Sequence, residues 1–388
     1  QDTNFPGFST SDQRRRSGIA REAEIYYYAF GQGCALLTAV EEAVSDGVDV
    51  ITLSTTGGHD CDLEFDACSL NAAFSNAVDA GVIVVSGSGN DPPEAADGYC
   101  SVDWPAVRSS VLSVGALDTY EDTLSYEDTE WADFQSYGDK TITVLGNATK
   151  ELNLVDLVAP GYVRYAFGYT RWGIVTYNAV EAGTSFATPV VSGIAGLTRE
   201  WLFDIGWSTY ANSARSVLVN MMLMGDFYAG LLGAPTADYN YSMSDSSGFG
   251  RIRAHWPNDV SLGVGGWNWI TGWHTLTTGN AHYYNLGPNP MPTDIEGVKV
   301  AVTWFDGDYQ DLSDMRLSIV DLCPQGGGEE TIRTASTFQT MKLHVQLKSD
   351  SDIHGRCLYV KISAIQTDAN GEQYFYAGYI YSNAEGLH

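Results

Sequence analysis

The sequence predicts an α/β domain, a parallel sheet with helices on both faces, followed by an antiparallel β-sandwich. Three observations carry this. Between Leu36 and Val85 helical and strand-like patterns alternate, with Gly47 and Gly81 marking helix ends. After Gly183 a long apolar helical face begins. From about Asn258 the texture changes to short aromatic and β-branched runs separated by turn residues. The expected units are residues 1–257 and 258–388.

Residues 1–17 are polar and aperiodic, with Arg14-Arg15-Arg16 their only basic cluster. Ile25 to Phe30 is aromatic and strand-like, and Gly31-Gln32-Gly33 suits either a plain turn or a place where another backbone comes close. Leu36, Leu37, Val40, Ala43 and Val44 mark a helix, and Val48 to Leu53 a buried strand. The unit repeats with a helix through Leu70, Ala73, Phe74 and Ala77 and a strand from Val82 to Val85. Val190, Val191, Ile194, Ala195, Leu197 and Leu202 trace the helix after Gly183, and Ala214 to Met222 suggests another. In the second half, strands are expected at Tyr283-Tyr284, Val298–Trp304, Leu317–Val320, Leu343–Leu347, Cys357–Ile362 and Tyr374–Ile380.

The chain of 388 residues carries 20 Lys and Arg against 48 Asp and Glu, a formal charge of −28. That balance argues against nucleic acid or an anionic membrane as partner. No apolar run approaches membrane-spanning length. Six cysteines without a CxxC pair point to an oxidising compartment rather than a zinc site. Cys323 and Cys357 are expected to bridge strands. Cys34, Cys61, Cys68 and Cys100 allow three pairings, or a bond from one of them to a partner chain. Asn147 and Asn240 head glycosylation sequons, so N-glycans are expected. With a first residue, Gln1, that is not Met, the chain reads as a mature, secreted, extracellular product. Asp306, Asp308, Asp311 and Asp314 crowd one loop. Hard carboxylate oxygens so spaced can hold a structural Ca²⁺, and a solvated acidic turn fits them equally. No cofactor is required by any motif.

The most informative run is Gly183-Thr184-Ser185-Phe186-Ala187-Thr188-Pro189. It sets Ser185 at the mouth of a buried helix, where unpaired N–H groups favour negative charge. Pro189 has no N–H, so the Ser185 carbonyl is released from the helix ladder. A hydroxyl there can attack a carbonyl while the helix end holds the oxyanion. The string, continued through Ser192-Gly193-Ile194-Ala195-Gly196, resembles the nucleophile motif of the subtilisin-like serine proteases. The resemblance covers residues 18 to 255 in the family's order and implies a subtilisin-like parallel sheet.

It implies roles residue by residue. Gly31 and Gly33 resemble the substrate-edge loop. Asp49-Val50-Ile51-Thr52-Leu53-Ser54 with Gly57-Gly58 resembles the strand and loop that hold the peptide and wall its specificity pocket. Gly183 and Thr184 belong to the nucleophile motif, and Asn90, in Ser86-Gly87-Ser88-Gly89-Asn90, matches the oxyanion donor. Trp104-Pro105-Ala106, Asp156-Leu157-Val158-Ala159-Pro160-Gly161 and Gly248-Phe249-Gly250-Arg251-Ile252 match later segments. Val302 to Asp306 and Leu312 to Leu317 resemble the C-terminal β domain of one branch of the family.

The family's Asp-x-Gly strand end and His-Gly-Thr-His helix, which carry the other two triad members, do not occur before Gly18. Of the seven histidines only His59 lies in the first half, on the specificity-pocket loop. The expectation is therefore a secreted serine endopeptidase whose Asp and His come from a separate N-terminal polypeptide, with peptide or protein as substrate. The alternative is a structural or adhesive glycoprotein that keeps the scaffold without catalysis and assembles with other chains.

Overall fold

In a computed structural model the described residues are 18–31, 34–55, 57–58, 61–66, 68–93, 100–118, 130–143, 149–163, 166–170, 173–177, 181–225, 248–252, 266–269, 274–295, 297–304, 313–324, 327–335, 338–339, 342–347, 350–367 and 373–382. Helix α1 (Ala35–Asp46) ends at Gly47, whose left-handed φ of 77° lets its amide reach the Ala43 and Val44 carbonyls. Then come β1 (Val50–Leu53), α2 (Leu70–Asp79), β2 (Ile83–Gly87), β3 (Val111–Asp118), β4 (Glu130–Trp131), β5 (Asp139–Thr143), β6 (Thr149–Asn153) and β7 (Leu157–Pro160). Strands β1, β2, β3 and β7 are parallel neighbours, and β4 closes antiparallel on β3. Every residue of β2 is buried, as expected of a strand covered on both faces.

Two short ribbons pair β8 (Tyr162–Val163) with β11 (Glu181–Ala182) and β9 (Ala166–Thr170) with β10 (Gly173–Tyr177). Helices α3 (Thr184–Asp204), α4 (Ser208–Ala211) and α5 (Ala214–Met224) follow. The sheet separates two cores. On one face α2 buries Leu70, Phe74 and Ala77 beside Val40 of α1. On the other, Ala187, Val191, Ile194 and Leu202 of α3 pack with Val217 and Met221 of α5. Ile25 to Phe30, expected as a strand from its composition, forms neither helix nor strand, and it pairs with no strand among the described residues. It is tied down at Tyr28, whose hydroxyl donates to the Asp46 carboxylate at 2.7 Å, a bond that pushes the phenol up to about 12.

The second half contains β12 (Gly266–Trp269), β13 (His274–Leu276), β14 (Ala281–Asn285), β15 (Gly297–Trp304), β16 (Asp314–Asp321) and β17 (Glu330–Thr334). It continues with β18 (Phe338–Gln339), β19 (Lys342–Leu347), α6 (Asp350–Ile353), β20 (Leu358–Gln366) and β21 (Gln373–Ser382). A four-stranded sheet runs β14-β20-β16-β17, and an eight-stranded one runs β12-β21-β15-β19-β18-β6-β5 with β13 also on β21. Leu317, Ile319, Val360 and Ile362 of the smaller sheet share a core with Val298, Val300 and Val302 of the larger. The additional antiparallel sheets are those of a β-sandwich.

The division at residue 257 is crossed by the hairpin β5–β6, which adds to the larger sheet through parallel pairing of Leu152 and Asn153 with Phe338 and Gln339. Leu152 and Leu154 carry the α1–α2 core straight into the sandwich core. Helix α5 is wedged between α3 and strands β15 and β21, so it is buried nearly all round. Two buried lysines complete the junction. Lys299 Nζ of β15 donates to the Gly225 carbonyl at 2.9 Å. Lys342 Nζ of β19 meets Asp156 Oδ2 at 2.6 Å, each side chain 1% exposed.

All six cysteines are paired within the chain: Cys34 with Cys68, Cys61 with Cys100 and Cys323 with Cys357. The expectation that one of the first four bonds a partner chain is therefore corrected, because no free thiol remains. No helix among the described residues is long and apolar enough to cross a membrane.

Candidate active site

The carboxyl ends of β1 and β2 and the first turn of α3 converge, the position where open α/β sheets bind ligands. Gly87, the last residue of β2, is what lets the helix approach. A Cβ there would fall 2.8 Å from Thr184 Oγ1 and 3.1 Å from Thr188 Oγ1. Inside α3, Thr188 and Ser192 return their hydroxyls to the carbonyls four residues back, so these buried polar groups are satisfied within the helix.

Three residues beyond β2, Asn90 faces the start of that helix. Its Oδ1 accepts from the Thr184 backbone N–H at 2.8 Å and from Thr184 Oγ1 at 3.2 Å. Two donors on one oxygen fix the amide orientation and leave Nδ2 as its donor arm. Gly183 precedes the helix and supplies no side-chain cap; the Phe186 N–H donates to the Gly183 carbonyl at 3.0 Å and the Thr184 N–H to Asn90, while the Ser185 N–H comes too early in the helix to have a carbonyl four residues back within it. The arrangement concentrates hydrogen-bond donors and the positive helix end beside one hydroxyl.

That hydroxyl is Ser185 Oγ, half-buried, which donates to the Ser54 backbone carbonyl at 3.1 Å. The Ser54 hydroxyl in turn donates to the Ser185 carbonyl at 3.3 Å. Pro189 explains this second bond: lacking an N–H, it leaves that carbonyl free for a partner outside the helix. Ser54, just past β1, and Ser185 thus clasp each other across the mouth of the site.

The loop bearing Asn90 is held by residues that show no periodic signal in the sequence. Ser136 Oγ both accepts from the Asp91 N–H at 3.0 Å and donates to the Asp91 carbonyl at 2.9 Å. The Ser136 N–H donates to Gly89 O at 3.0 Å, and Ser88 Oγ donates to Ser136 O at 2.8 Å. Gly89 has φ +115°, and a Cβ on it would lie 2.5 Å from Ser136 Oγ and 2.7 Å from Asp103 Oδ2. Gly89→Ala is therefore expected to lower stability by about 1–3 kcal/mol, read by chemical denaturation. Unchanged stability would show that the loop yields freely.

Gly57 and Gly58 run beside Trp104: Gly57 N–H donates to Trp104 O at 2.9 Å and Trp104 N–H to Gly58 O at 3.3 Å. The indole is pinned by an edge contact with Phe65 at 5.5 Å and by its Nε1–H donating to Asn71 Oδ1 at 3.2 Å. These glycines therefore border a rigid aromatic floor on the side of the site nearest β1.

Gly31 is exposed, while Gly33, His59, Asn147, Asn240, Asp306, Asp308 and Asp311 lie outside the described residues. Asp314 is buried at the start of β16, opposite Gln366. Among the described residues no group of three or more His, Cys, Asp or Glu comes together to hold a metal. Two imidazoles are bonded within the second unit, His282 Nε2 to Thr275 O and His354 Nε2 to Ile295 O.

Residues 6–250 match the model of the subtilase family. The chain is 29% identical over 189 residues to M-protease of Shouchella clausii, an alignment covering 47% of this chain and 40% of that protein. It is 34% identical over 168 residues to Halolysin of Haloferax mediterranei, covering 43% and 25% respectively. It spans half or less of the length of the curated relatives M-protease, the Major intracellular serine protease of Bacillus subtilis and its Serine protease AprX, at 40%, 50% and 35%. Among solved structures, Sphericase aligns with a TM-score of 0.41 at 21% identity, covering 58% of this chain and 64% of that one.

Proposed function

Because the chain belongs to the subtilase family, we propose that it is the Ser185-bearing part of a serine endopeptidase whose Asp and His are supplied by a separate N-terminal polypeptide. The observation that carries the reading is the placement of Ser185 Oγ, the Ser185 N–H and the oriented Asn90 amide at one helix mouth. In the assembled enzyme Ser185 Oγ attacks the peptide carbonyl as the imported imidazole takes its proton. The Asn90 Nδ2 and Ser185 N–H hold the oxyanion, and Gly31, Gly33, Ser54, Gly57 and Gly58 seat the peptide. Among the described residues Ser185 Oγ donates to the Ser54 carbonyl, which is no base.

Two features support a second polypeptide. Strand β1 pairs only with β2 among the described residues, leaving its other backbone edge open on an otherwise covered sheet. The segment Ile25 to Phe30 exposes Ile25 at 90% and Tyr27 at 89%, an apolar strip that water hydrates at a cost. A second polypeptide that pairs with β1 and packs on this strip would satisfy both. The disulfides suit an extracellular setting, to which the proposal extends. The Asn147 and Asn240 sequons would then carry N-glycans, the reaction requires no cofactor, and a Ca²⁺ at Asp306, Asp308, Asp311 and Asp314 would be structural only.

The test is isolation of the protein from its native source with mass spectrometry of every chain, alongside hydrolysis of fluorogenic peptides. The expected result is a co-purifying polypeptide with the family's Asp and His motifs and turnover abolished by Ser185→Ala. Absence of both the second polypeptide and turnover would leave the inactive adhesive scaffold as the function.

A further inference from the structure

Beside the Asn90 loop lies a carboxylate that the proposed reaction does not use. The run Val102-Asp103-Trp104 passes between two segments of the candidate site. On one side Cys61 N–H donates to Val102 O at 2.8 Å, and Gly57 and Gly58 bond to Trp104. On the other, Asp103 N–H donates to Ser88 O at 2.8 Å. Val102 and Trp104 send their side chains into the apolar core with Leu63 and Phe74. Asp103 does not follow them: its Oδ2 lies 2.7 Å from the point that a Cβ on Gly89 would occupy, one residue before Asn90. Asp103, 7% exposed, therefore stands between the Gly57–Gly58 segment and the Ser88–Asn90 loop.

Both segments present bare backbone where they flank this carboxylate. Gly57, Gly58 and Gly89 carry no side chain, and a Cβ on Gly58 would meet no atom within 4 Å. A carboxylate so enclosed is costly unless opposite charge or hydrogen bonds meet it. Holding the Asn90 loop does not draw on it: Ser136 bonds the backbone of Gly89 and Asp91, and Ser88 Oγ bonds Ser136 O. Two cations reach the adjoining Cys61–Leu63 stretch, and both donate to its carbonyls. Arg108 Nη1 meets Leu63 O at 2.5 Å and Lys140 Nζ meets Cys61 O at 2.6 Å. A carboxylate presents about four acceptor sites, so bonds within the protein and a cation brought by a ligand share it without conflict.

We infer that Asp103 selects a lysine or arginine at the substrate residue whose carbonyl Ser185 attacks. This gives the peptidase reading a substrate class, and it rests on that reading for the cleavage step. With the oxyanion on Asn90 Nδ2, the residue that carries the carbonyl sits against the Asn90 loop. Its side chain then runs between that loop and Gly57–Gly58, where Asp103 stands. A guanidinium meets a carboxylate in two-pronged fashion and an ammonium meets it as a point charge. A leucine or phenylalanine in the same place desolvates the carboxylate and returns no charge, which is how a site built for a polar group rejects an apolar one. Every residue named here belongs to this chain, so the cation pocket is present without the second polypeptide.

Two measurements test this. The first is calorimetry on the full chain with benzamidine and its neutral counterpart benzamide, which needs no catalysis. Benzamidine is expected to bind, with benzamide weaker by about tenfold or more, the scale of one lost charged hydrogen-bond pair. Asp103→Asn is expected to weaken benzamidine by about ten- to a hundredfold, while Asp103→Glu, which keeps the charge, retains part of the affinity. The second needs no variant: kcat/KM of the natively isolated protein on peptides that differ only at the residue before the cleaved bond. Arginine and lysine are expected to exceed leucine and phenylalanine by about ten- to a hundredfold. No benzamidine binding, or binding indifferent to Asp103→Asn, would overturn the inference. Hydrolysis without a preference for a basic residue would overturn it too, and would leave the peptidase reading standing. Benzamidine held through Asp103, with no peptide hydrolysed, would keep the cation pocket and overturn the peptidase reading instead.

Discussion

Replacing Lys342 with methionine is expected to cost about 3–5 kcal/mol of stability, the largest single loss predicted for this chain. Lys342 and Asp156 are each 1% exposed and 2.6 Å apart, in a region walled by apolar core. Removing the ammonium takes away the positive charge that faces the buried Asp156 carboxylate at 2.6 Å, while the Ser113 N–H at 2.8 Å still donates to it. Desolvation is then no longer offset by the opposite charge. The double variant Lys342→Met with Asp156→Asn should recover part of the loss, because the amide keeps an acceptor for Ser113 without a buried charge. Since Lys342 belongs to β19 and Asp156 precedes β7, the single variant should loosen the two units together, in one denaturation transition. A loss below about 1 kcal/mol would mean that water reaches the pair.

The second large effect belongs to Asn90. In the assembled enzyme, Asn90→Leu is expected to lower kcat about a hundred- to a thousandfold with little change in KM, a magnitude taken from the equivalent donor of subtilisin itself. The reason is that the amide Nδ2 meets charge that develops only as the carbonyl is attacked. The Oδ1 side is structural: it caps the Thr184 N–H and hydroxyl. Some stability should therefore fall alongside turnover, about 0.5–2 kcal/mol as for other lost helix caps. Steady-state kinetics on the complemented protein separates the two effects. A KM rise at unchanged kcat would place Asn90 in ground-state binding instead.

Much of this was legible in the chain itself, for identifiable reasons. Gly47 and Gly81 punctuate helices whose apolar spacing is regular, so α1 and α2 could be placed within a few residues. The helix mouth at Ser185 was readable because glycine, hydroxyl and proline each carry a fixed backbone consequence there, whereas Asn90 came forward only through the family resemblance. What escaped was non-local. Nothing in Asp139 to Asn153 announces that this hairpin joins a sheet built mainly from residues after 266, because strand partners are chosen by packing across the fold. Lys299 and Lys342 sit in strands and look like solvent-facing residues of an alternating pattern, yet both are buried at the junction. The clamp of Ser136 on Gly89 and Asp91 spans 45 residues and leaves no periodic trace. The cysteine pairing likewise required the fold, since spacing alone permits three arrangements.

The central claim is that the helix mouth is set for acyl transfer and waits only for a proton acceptor from a second polypeptide. Intact-mass measurement after exposure to a fluorophosphonate reads this directly, comparing the natively isolated protein with the chain refolded by itself. A stoichiometric adduct mapped to Ser185 in the native material, and none in the lone chain, is expected. Equal labelling of both, or of neither, would contradict it.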